Sequence, residues 1–380
     1  MGMSIFILMN VLIIPDKFKG SLSSIEVSDA IEKGLLAAQY EPHQITKMPA
    51  SDGGDGFLDV IAHFKNVSIS NVQSVDALHR PIFSNYLVDP SSLTAYVELA
   101  ATVGLSGLNT IQFNKASTYG LGIQILDALH KGCKTIYVGL GGSASNDIGF
   151  GMLEAMGVHF LDAYGNRLHI HTGMLHQIKG FHIPESLKNL LEGVNFYAIN
   201  DVTNPLVGKD GATHTFGPQK GATPQDIRKV EASVHYLIHH LNFPYLPDEN
   251  EPGYGAAGGT AFGLKTFLNA SFVSGFDFLC EITQLKSHLS AGVFDYIISG
   301  EGCFDHTSLQ GKLVGGLKVL AEQYNIPLLI VCGQTTHIPD LEISKDFNVL
   351  ALLDPTISLE FCMNNTSQFI QERVFNYFRS

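Results

Sequence analysis

TIYVGLGGSASNDIGFGMLEAMG, residues Thr135 to Gly157, holds three local signals in succession. The β-branched and apolar run Thr135-Ile136-Tyr137-Val138 predicts a strand that stops at a loop carrying Gly139, Gly141 and Gly142. Ser143, Ala144 and Ser145 follow. Asn146 and Asp147, both good helix N-caps, then precede Phe150, Leu153 and Met156 at helical spacing. Strand, glycine loop and helix start in that order make an anion site. Glycine lets backbone amides approach an oxyanion closely, and the unpaired amides of a first helical turn point at it. A negatively charged ligand is the first expectation.

Composition narrows the class. A chain of 380 residues exceeds one comfortable core, so two domains are expected. Hydrophobic content of 45% against 16% charged residues fits an α/β enzyme and argues against disorder. A net charge of −13 argues against a nucleic-acid partner, which calls for a basic face. With 23 Lys plus Arg in all, a lysine inside a glycine loop carries unusual weight. Five scattered cysteines, never spaced CxxC, suit a reducing cytoplasm and no zinc ribbon. The apolar start has no cationic leader and runs into a strand, so Met9 reads as the functional start and residues 1–8 as an extension. No run reaches membrane-spanning length.

Taken in order, Asn10 to Ile14 is an apolar strand ending at Pro15-Asp16, and the loop Lys17-Phe18-Lys19-Gly20-Ser21 follows. Ser23 and Glu26 have capping-box spacing before a helix that buries Val27, Ile31, Leu35 and Ala38. Spacing alone leaves this loop open between a solvated turn and an anion site. MPASDGGDG, Met48 to Gly56, sets Asp52 and Asp55 among glycines. These bind a cation or substrate hydroxyl, or simply make the turn that Asp-Gly favours. Residues 67–115 alternate apolar and polar, which predicts an antiparallel or mixed sheet and a change of domain. His159, His169, His171, His176 and His182 form a histidine group without a partner at ligand spacing, so they read as surface or hairpin residues rather than a metal site.

Further on, a strand ends at Asn200 and Asp201, and an aspartate there faces the crevice where α/β proteins bind ligands. Gly217-Pro218-Gln219-Lys220-Gly221 precedes a Thr223-Pro224 helix start. Gly253 to Gly263 is either close helix packing or a ligand loop. Val293 to Ser299 reads as a strand ending in Gly300-Glu301-Gly302, with Asp305 beyond it and Gly311-Lys312 opening the next helix. Pro327 to Val331 and Val349 to Leu353 are buried strands, and Ile357 to Phe378 reads as one amphipathic helix.

Gly139, Gly141 and Ala144 match a relaxed dinucleotide fingerprint, with Asp162 near the distance of a ribose-binding acid, so an NAD-dependent oxidoreductase is a competing reading. Against it, the fingerprint opens far into the chain, and the several other glycine loops with acids or lysines suit phosphoryl transfer better. Gly311-Lys312 lacks the rest of a Walker A motif.

IIPDKFKGSLS, MPASDGGDG, VELAATVGL, GLGGSASNDIGFGMLEAMG, DVTNPLVGKDGA, FGPQKGATP, GAAGG and SGEGCFDHTSLQGK together resemble, in order, the serial motifs of the glycerate kinase family, the bacterial type that makes 2-phosphoglycerate. The resemblance spans nearly the whole chain. It implies a two-domain α/β fold: a flavodoxin-like parallel-sheet domain built from residues 1–70 and 290–380, and an inserted mixed-sheet α/β domain, 71–289, carrying the GGSASND loop, with the active site in the cleft. The chain departs from the family pattern at Lys17 (usually small), Phe57 (threonine), Ile148 (glycine) and Cys303 (arginine). The implied activity is ATP-dependent phosphorylation of D-glycerate at the 2-hydroxyl with Mg²⁺, in the cytoplasm. A same-fold kinase for another small hydroxy acid is the near alternative, and the sequence leaves oligomeric state open, a homodimer included. Under this reading Asp201 is the base, with Asp52 as runner-up for base or metal contact. Lys19 and Ser21 hold one anion at the first helix entrance. Gly141, Gly142 and Ser143 hold another, shaped by Asn146 and Asp147, with Lys220 also on the phosphate side. Lys312 steadies transferred charge, and Glu301 and Asp305 meet Mg²⁺ through water.

Overall fold

In the computed structural model, thirteen strands fall within the described residues, which are 9–245, 251–309, 312–336, 344, 346–354 and 356–379. In chain order they are β1 (Val11–Ile13), β2 (Ile45–Lys47), β3 (Ser68–Val75), β4 (Pro81–Asp89), β5 (Thr94–Glu98), β6 (Thr135–Gly139) and β7 (His159–Leu161). They continue with β8 (Gly180–His182), β9 (Asn195–Ile199), β10 (Ser271–Val273), β11 (Tyr296–Phe304), β12 (Leu328–Thr335) and β13 (Phe347–Ala351). The expectations placed on residues 1–8 and on Gly311 lie outside the described residues.

The chain divides into two units, Met1–Asp52 with Gly275–Ser380, and Gly53–Ser274. The first is built from both chain ends. Its sheet runs β2-β1-β11-β12-β13, every pair parallel, the flavodoxin-like order. A parallel sheet must bury both faces, hence the unbroken apolar runs at Val11–Ile13 and Leu328–Cys332. The helix Ser24–Ala37 opens on the expected capping box, with Ser23 Oγ accepting from the Glu26 amide and Glu26 Oε2 accepting from the Ser23 amide. It packs against the helix Thr366–Arg379, and Gly34 makes the approach possible, because a Cβ there would lie 2.8 Å from Val374 Cβ.

The second unit carries a six-stranded mixed sheet in the order β10-β9-β6-β5-β4-β3. β10, β9, β6 and β5 are parallel neighbours, while β4 is antiparallel to both β5 and β3. That is the mixed pairing the alternation over 67–115 predicts. Tyr96, Tyr137 and Tyr197 stack across three adjacent strands with ring centroids 5.4 and 4.7 Å apart. β7 and β8 form a separate antiparallel pair.

The units divide at 52/53 and 274/275, earlier than the sequence pattern suggested. The helix Phe57–Phe64 belongs with the mixed sheet because the Glu98 carboxylate at the end of β5 accepts from the Leu58 amide at 3.1 Å. At the other junction, the Phe276 ring packs so closely on Gly316 that a Cβ there would sit 2.4 Å from ring carbon, which ties the segment after Ser274 to the parallel-sheet unit.

Three local expectations need correction. The helix after the central loop begins at Phe150, with Gly149 at the N-cap in the left-handed region, so Asn146 and Asp147 are not its cap residues by position. β11 does not stop before Gly300. It runs on to Phe304, pairing Glu301 with Cys332 and Cys303 with Gln334, so Glu301 lies within a strand end. The final helix is two, Leu359–Asn364 and Thr366–Arg379, because Asn365 leaves helical geometry and its side-chain amide donates to the Phe361 carbonyl. No helix among the described residues is long and apolar enough to cross a membrane.

Candidate active site

The central loop leaves β6 at Gly139 and is held on both sides. The Leu140 amide donates to the Ile199 carbonyl at the end of β9, the Leu105 amide donates to the Gly142 carbonyl and the Ala144 amide donates to the Val103 carbonyl, so that Ser143 lies antiparallel to Gly104. A Cβ on Gly141 would meet Gly54 Cα at 2.2 Å, and one on Gly139 would meet the Gly53 carbonyl at 2.5 Å. Gly53 and Gly54 therefore cross the central loop backbone on backbone. Gly142 is exposed and has φ +66°. Among the described residues, the amides of Gly141, Gly142 and Ser143 donate to no acceptor. Consecutive unengaged amides around a left-handed glycine form an anion-binding nest.

Behind this nest the residues are buried and polar. Lys220 is 2% exposed, and its ammonium donates to Ser143 Oγ at 2.8 Å and to the Ser145 carbonyl at 2.7 Å. Burial pushes Lys220 down to about 7, with Asp147 pulling it back up. Asp147 is fully buried. Its Oδ2 accepts from the Thr118 amide and hydroxyl and from the Gly151 amide in the first turn of the following helix. Burial raises its pKa against those hydrogen bonds, and its Oδ1 has no partner. Asn146, also fully buried, donates from Nδ2 to Thr213 Oγ1. Asn146 and Asp147 thus brace the loop from inside, and Asp147 already occupies part of the first helical turn on which the sequence reading relied.

GAAGG supplies the loop's other wall. Ala257, Gly258 and Gly259 are all left-handed, and a Cβ on Gly258 would lie 2.1 Å from the Ser145 carbonyl. Of the two readings of this stretch, close packing is the observed one. Asp201 follows β9, the neighbour of β6, at the same carboxyl end of the sheet. Asn200 carries it past the strand, donating its amide to the Val273 carbonyl while its side-chain oxygen accepts from the Val202 amide.

In the parallel-sheet unit, the loops after β1, β2 and β11 share one end of the sheet. The Asp16 amide donates to the Gly300 carbonyl, and Lys17 Nζ lies 2.7 Å from Asp52 Oδ1 and 3.7 Å from Asp16 Oδ1. Lys17 thereby ties Asp52 down. Lys19 is exposed, and its backbone passes so near Gly302 that a Cβ there would be 3.3 Å from the Lys19 amide nitrogen. The Ser21 hydroxyl is engaged with the Met363 carbonyl and the Thr366 hydroxyl, which fixes the turn that presents Lys19. Burial pushes the Glu301 carboxyl up to about 7, countered by the Ser308 hydroxyl and the Lys312 ammonium, and Glu301 Oε1 is buried without a partner. Asp305 Oδ1 accepts from the Thr307 amide and hydroxyl at 2.7 Å, which lowers its pKa. The exposed Lys312 side chain reaches Thr307 Oγ1 at 3.4 Å from the N-cap of the helix Leu313–Tyr324.

Among the described residues, no group of three or more His, Cys, Asp or Glu could hold a metal ion. His169 Nδ1 shares a hydrogen bond with Glu154, and His171 Nδ1 with the Asn114 carbonyl. Magnesium needs no such cage, since it keeps water and substrate phosphates among its ligands. An orphaned carboxylate oxygen at Glu301 fits that mode. The ribose-acid reading of Asp162 has no such support, because its carboxylate accepts from the Tyr164 and Asn166 amides of its own turn. Glu98 escaped the sequence reading, although VELAATVGL contains it. It is 9% exposed and its pKa is pushed up to about 7 by burial. An acid closing an otherwise apolar strand was the available signal.

A family model described as the glycerate kinase family matches residues 11–380. A glycerate 2-kinase of Escherichia coli (strain K12) is 33% identical, with 86% of each chain covered, and a glycerate kinase of Bacillus cereus is 33% identical at the same coverage. A solved structure from Salmonella typhimurium LT2 that carries the name glycerate kinase 2 superimposes with a TM-score of 0.77 at 30% identity, covering 97% of both chains. Two α/β units with glycine loops, lysines and acids at the carboxyl ends of their strands thus define an enzyme of the kinase class. The chain belongs to the glycerate kinase family.

Proposed function

We propose that this enzyme transfers the γ-phosphoryl group of ATP to D-glycerate at the 2-hydroxyl, giving 2-phosphoglycerate and ADP. The observation that carries the phosphate-binding half of the reading is the run of unengaged amides at Gly141, Gly142 and Ser143. In phosphoryl transfer the protein mainly positions the two reactants and neutralises charge, so such a nest has a direct use. Asp201 accepts the proton of the attacking hydroxyl. Lys19, presented by the turn that Ser21 pins, and Lys312 meet the anionic groups of acceptor and donor. Asp52, held by Lys17, stands second to Asp201 as base. Glu301 and Asp305 are the residues that would hold Mg²⁺ through water, and the ion would supply charge neutralisation on the ATP phosphates. All five cysteines are free thiols, which suits the cytoplasm, where ATP is at hand.

The test is a coupled ADP-release assay over a panel of small hydroxy acids, with product regiochemistry read by NMR. Glycerate-dependent ADP release with phosphate on the 2-oxygen supports the reading. Turnover of another hydroxy acid in preference to glycerate overturns the substrate, and NAD(H) binding without ADP release overturns the reaction.

A further inference from the structure

We propose that Lys220 is a positioning residue that acts through Ser143: it donates to the Ser143 oxygen from behind and so turns the Ser143 hydroxyl hydrogen and the adjoining amides toward a bound phosphate. The inference rests on the reading that the Gly141–Ser143 loop takes a phosphate of the nucleotide.

Lys220 cannot meet a phosphate directly. It is 2% exposed, and two of its three N–H groups are engaged by Ser143 Oγ and the Ser145 carbonyl. A serine hydroxyl has one hydrogen and two lone-pair sites, so accepting from Lys220 leaves its hydrogen to donate elsewhere. Among the described residues that hydrogen has no acceptor, and neither do the amides of Gly141, Gly142 and Ser143. The outcome is four donors in succession, one of them polarised by an ammonium group, since linked hydrogen bonds strengthen one another. A simple strut would not need a cation. Burying an ammonium is costly, and a neutral donor would hold the loop at less expense. Asp147, also fully buried, is the ionisable group acting on Lys220, and its unpartnered Oδ1 shows that it does not neutralise the lysine through a direct ion pair. The lowered pKa of Lys220 adds a proton linkage: a phosphate arriving at the loop favours the ammonium form.

The test compares Lys220→Met, Ser143→Ala and the double variant by kcat, KM for ATP, ADP affinity by calorimetry, and melting temperature. Each single change should lower kcat/KM for ATP on the order of 100-fold, the lower end of the range for one lost donor to developing charge. Because the lysine acts through the hydroxyl, the double variant should lose no more than Lys220→Met alone. Wild-type kcat/KM should fall as pH rises past about 7, and Lys220→Met should lose that limb. A lower melting temperature with unchanged kcat/KM and ADP affinity, or losses that multiply in the double variant, would overturn the proposal. If Lys220→Met does not fold, Ser143→Ala decides alone, and wild-type kinetics there overturn it. A wild type that releases no ADP defeats the kinase reading instead, while ADP calorimetry on the same variants still decides the role of Lys220.

Discussion

Asp201 sits half-buried just past the end of a parallel strand, and removing its charge while keeping its shape is the sharpest single change to the proposed chemistry. Asp201→Asn should reduce kcat by about 100-fold or more, from the lower end of the range for general-base catalysis upward, while ADP still binds. Near-normal turnover would remove Asp201 from the reaction. Ile148 poses a different question, since a β-branched side chain at φ +52° is strained. Relief of left-handed strain in Ile148→Gly is worth about 1–2 kcal/mol. Ile148 is also 1% exposed, and deleting a buried side chain of that size costs about 2–5 kcal/mol. Burial wins, and chemical denaturation should find Ile148→Gly about 1–3 kcal/mol less stable than wild type. A stabilised variant would mean that the strain exceeds the packing.

Glycine loops behave as coupled pairs in this chain, and the coupling explains what was legible beforehand. Gly141→Ala places a methyl group 2.2 Å from Gly54 Cα, backbone against backbone, so the loop must shift and stability should fall by about 3 kcal/mol together with kcat/KM. Gly56→Ala is the contrast: φ is +88° but nothing lies within 4 Å of the added carbon, so only backbone strain of about 1–2 kcal/mol is expected, with activity retained. Thermal unfolding and steady-state kinetics on the two variants separate the cases. Signals confined to one turn could be read from sequence: Ser23 with Glu26 forms the capping box its spacing predicts, and the helix expected at Thr223-Pro224 starts there with Thr223 as its N-cap. What depended on distant partners could not. Asp147 looks like an N-cap locally, yet it is drawn inward by the Thr118 amide and hydroxyl, and the helix waits until Phe150. Likewise Gly300-Glu301-Gly302 looks like a strand terminator, but pairing with Cys332 and Gln334 carries β11 on to Phe304. Lys220 was legible as a lysine in a glycine loop. Its burial was not, because the groups that satisfy it lie more than seventy residues away in sequence.

Across the chain as a whole, the same tension separates composition from arrangement. The excess of acid is visible in a net charge of −13, but which groups are held away from their ordinary ionisation depends on burial that composition does not record. Two groups set opposite slopes. Glu98, at the end of β5, is raised from 4.5 to about 7, so the folded state keeps a proton that the unfolded chain gives up. The stability it contributes is present below the unfolded value and is lost as pH rises toward 7. Lys220 is lowered from 10.5 to about 7, so between those values the unfolded chain holds more protons, and stability from this group rises with pH. Together they predict a shallow minimum in melting temperature near neutrality, superimposed on the remaining titrations. Glu98→Gln keeps an acceptor for the Leu58 amide and removes the titration, so the decline in stability between about pH 4.5 and 7 should flatten. Lys220→Met should flatten the rise above pH 7 and leave the acidic side unchanged. Melting curves for the wild type and both variants at pH 5, 7 and 9 decide the matter, on the stated order of effects. If Glu98→Gln tracks the wild type at every pH, the buried carboxyl is ionised in the folded protein and the assignment of its proton fails.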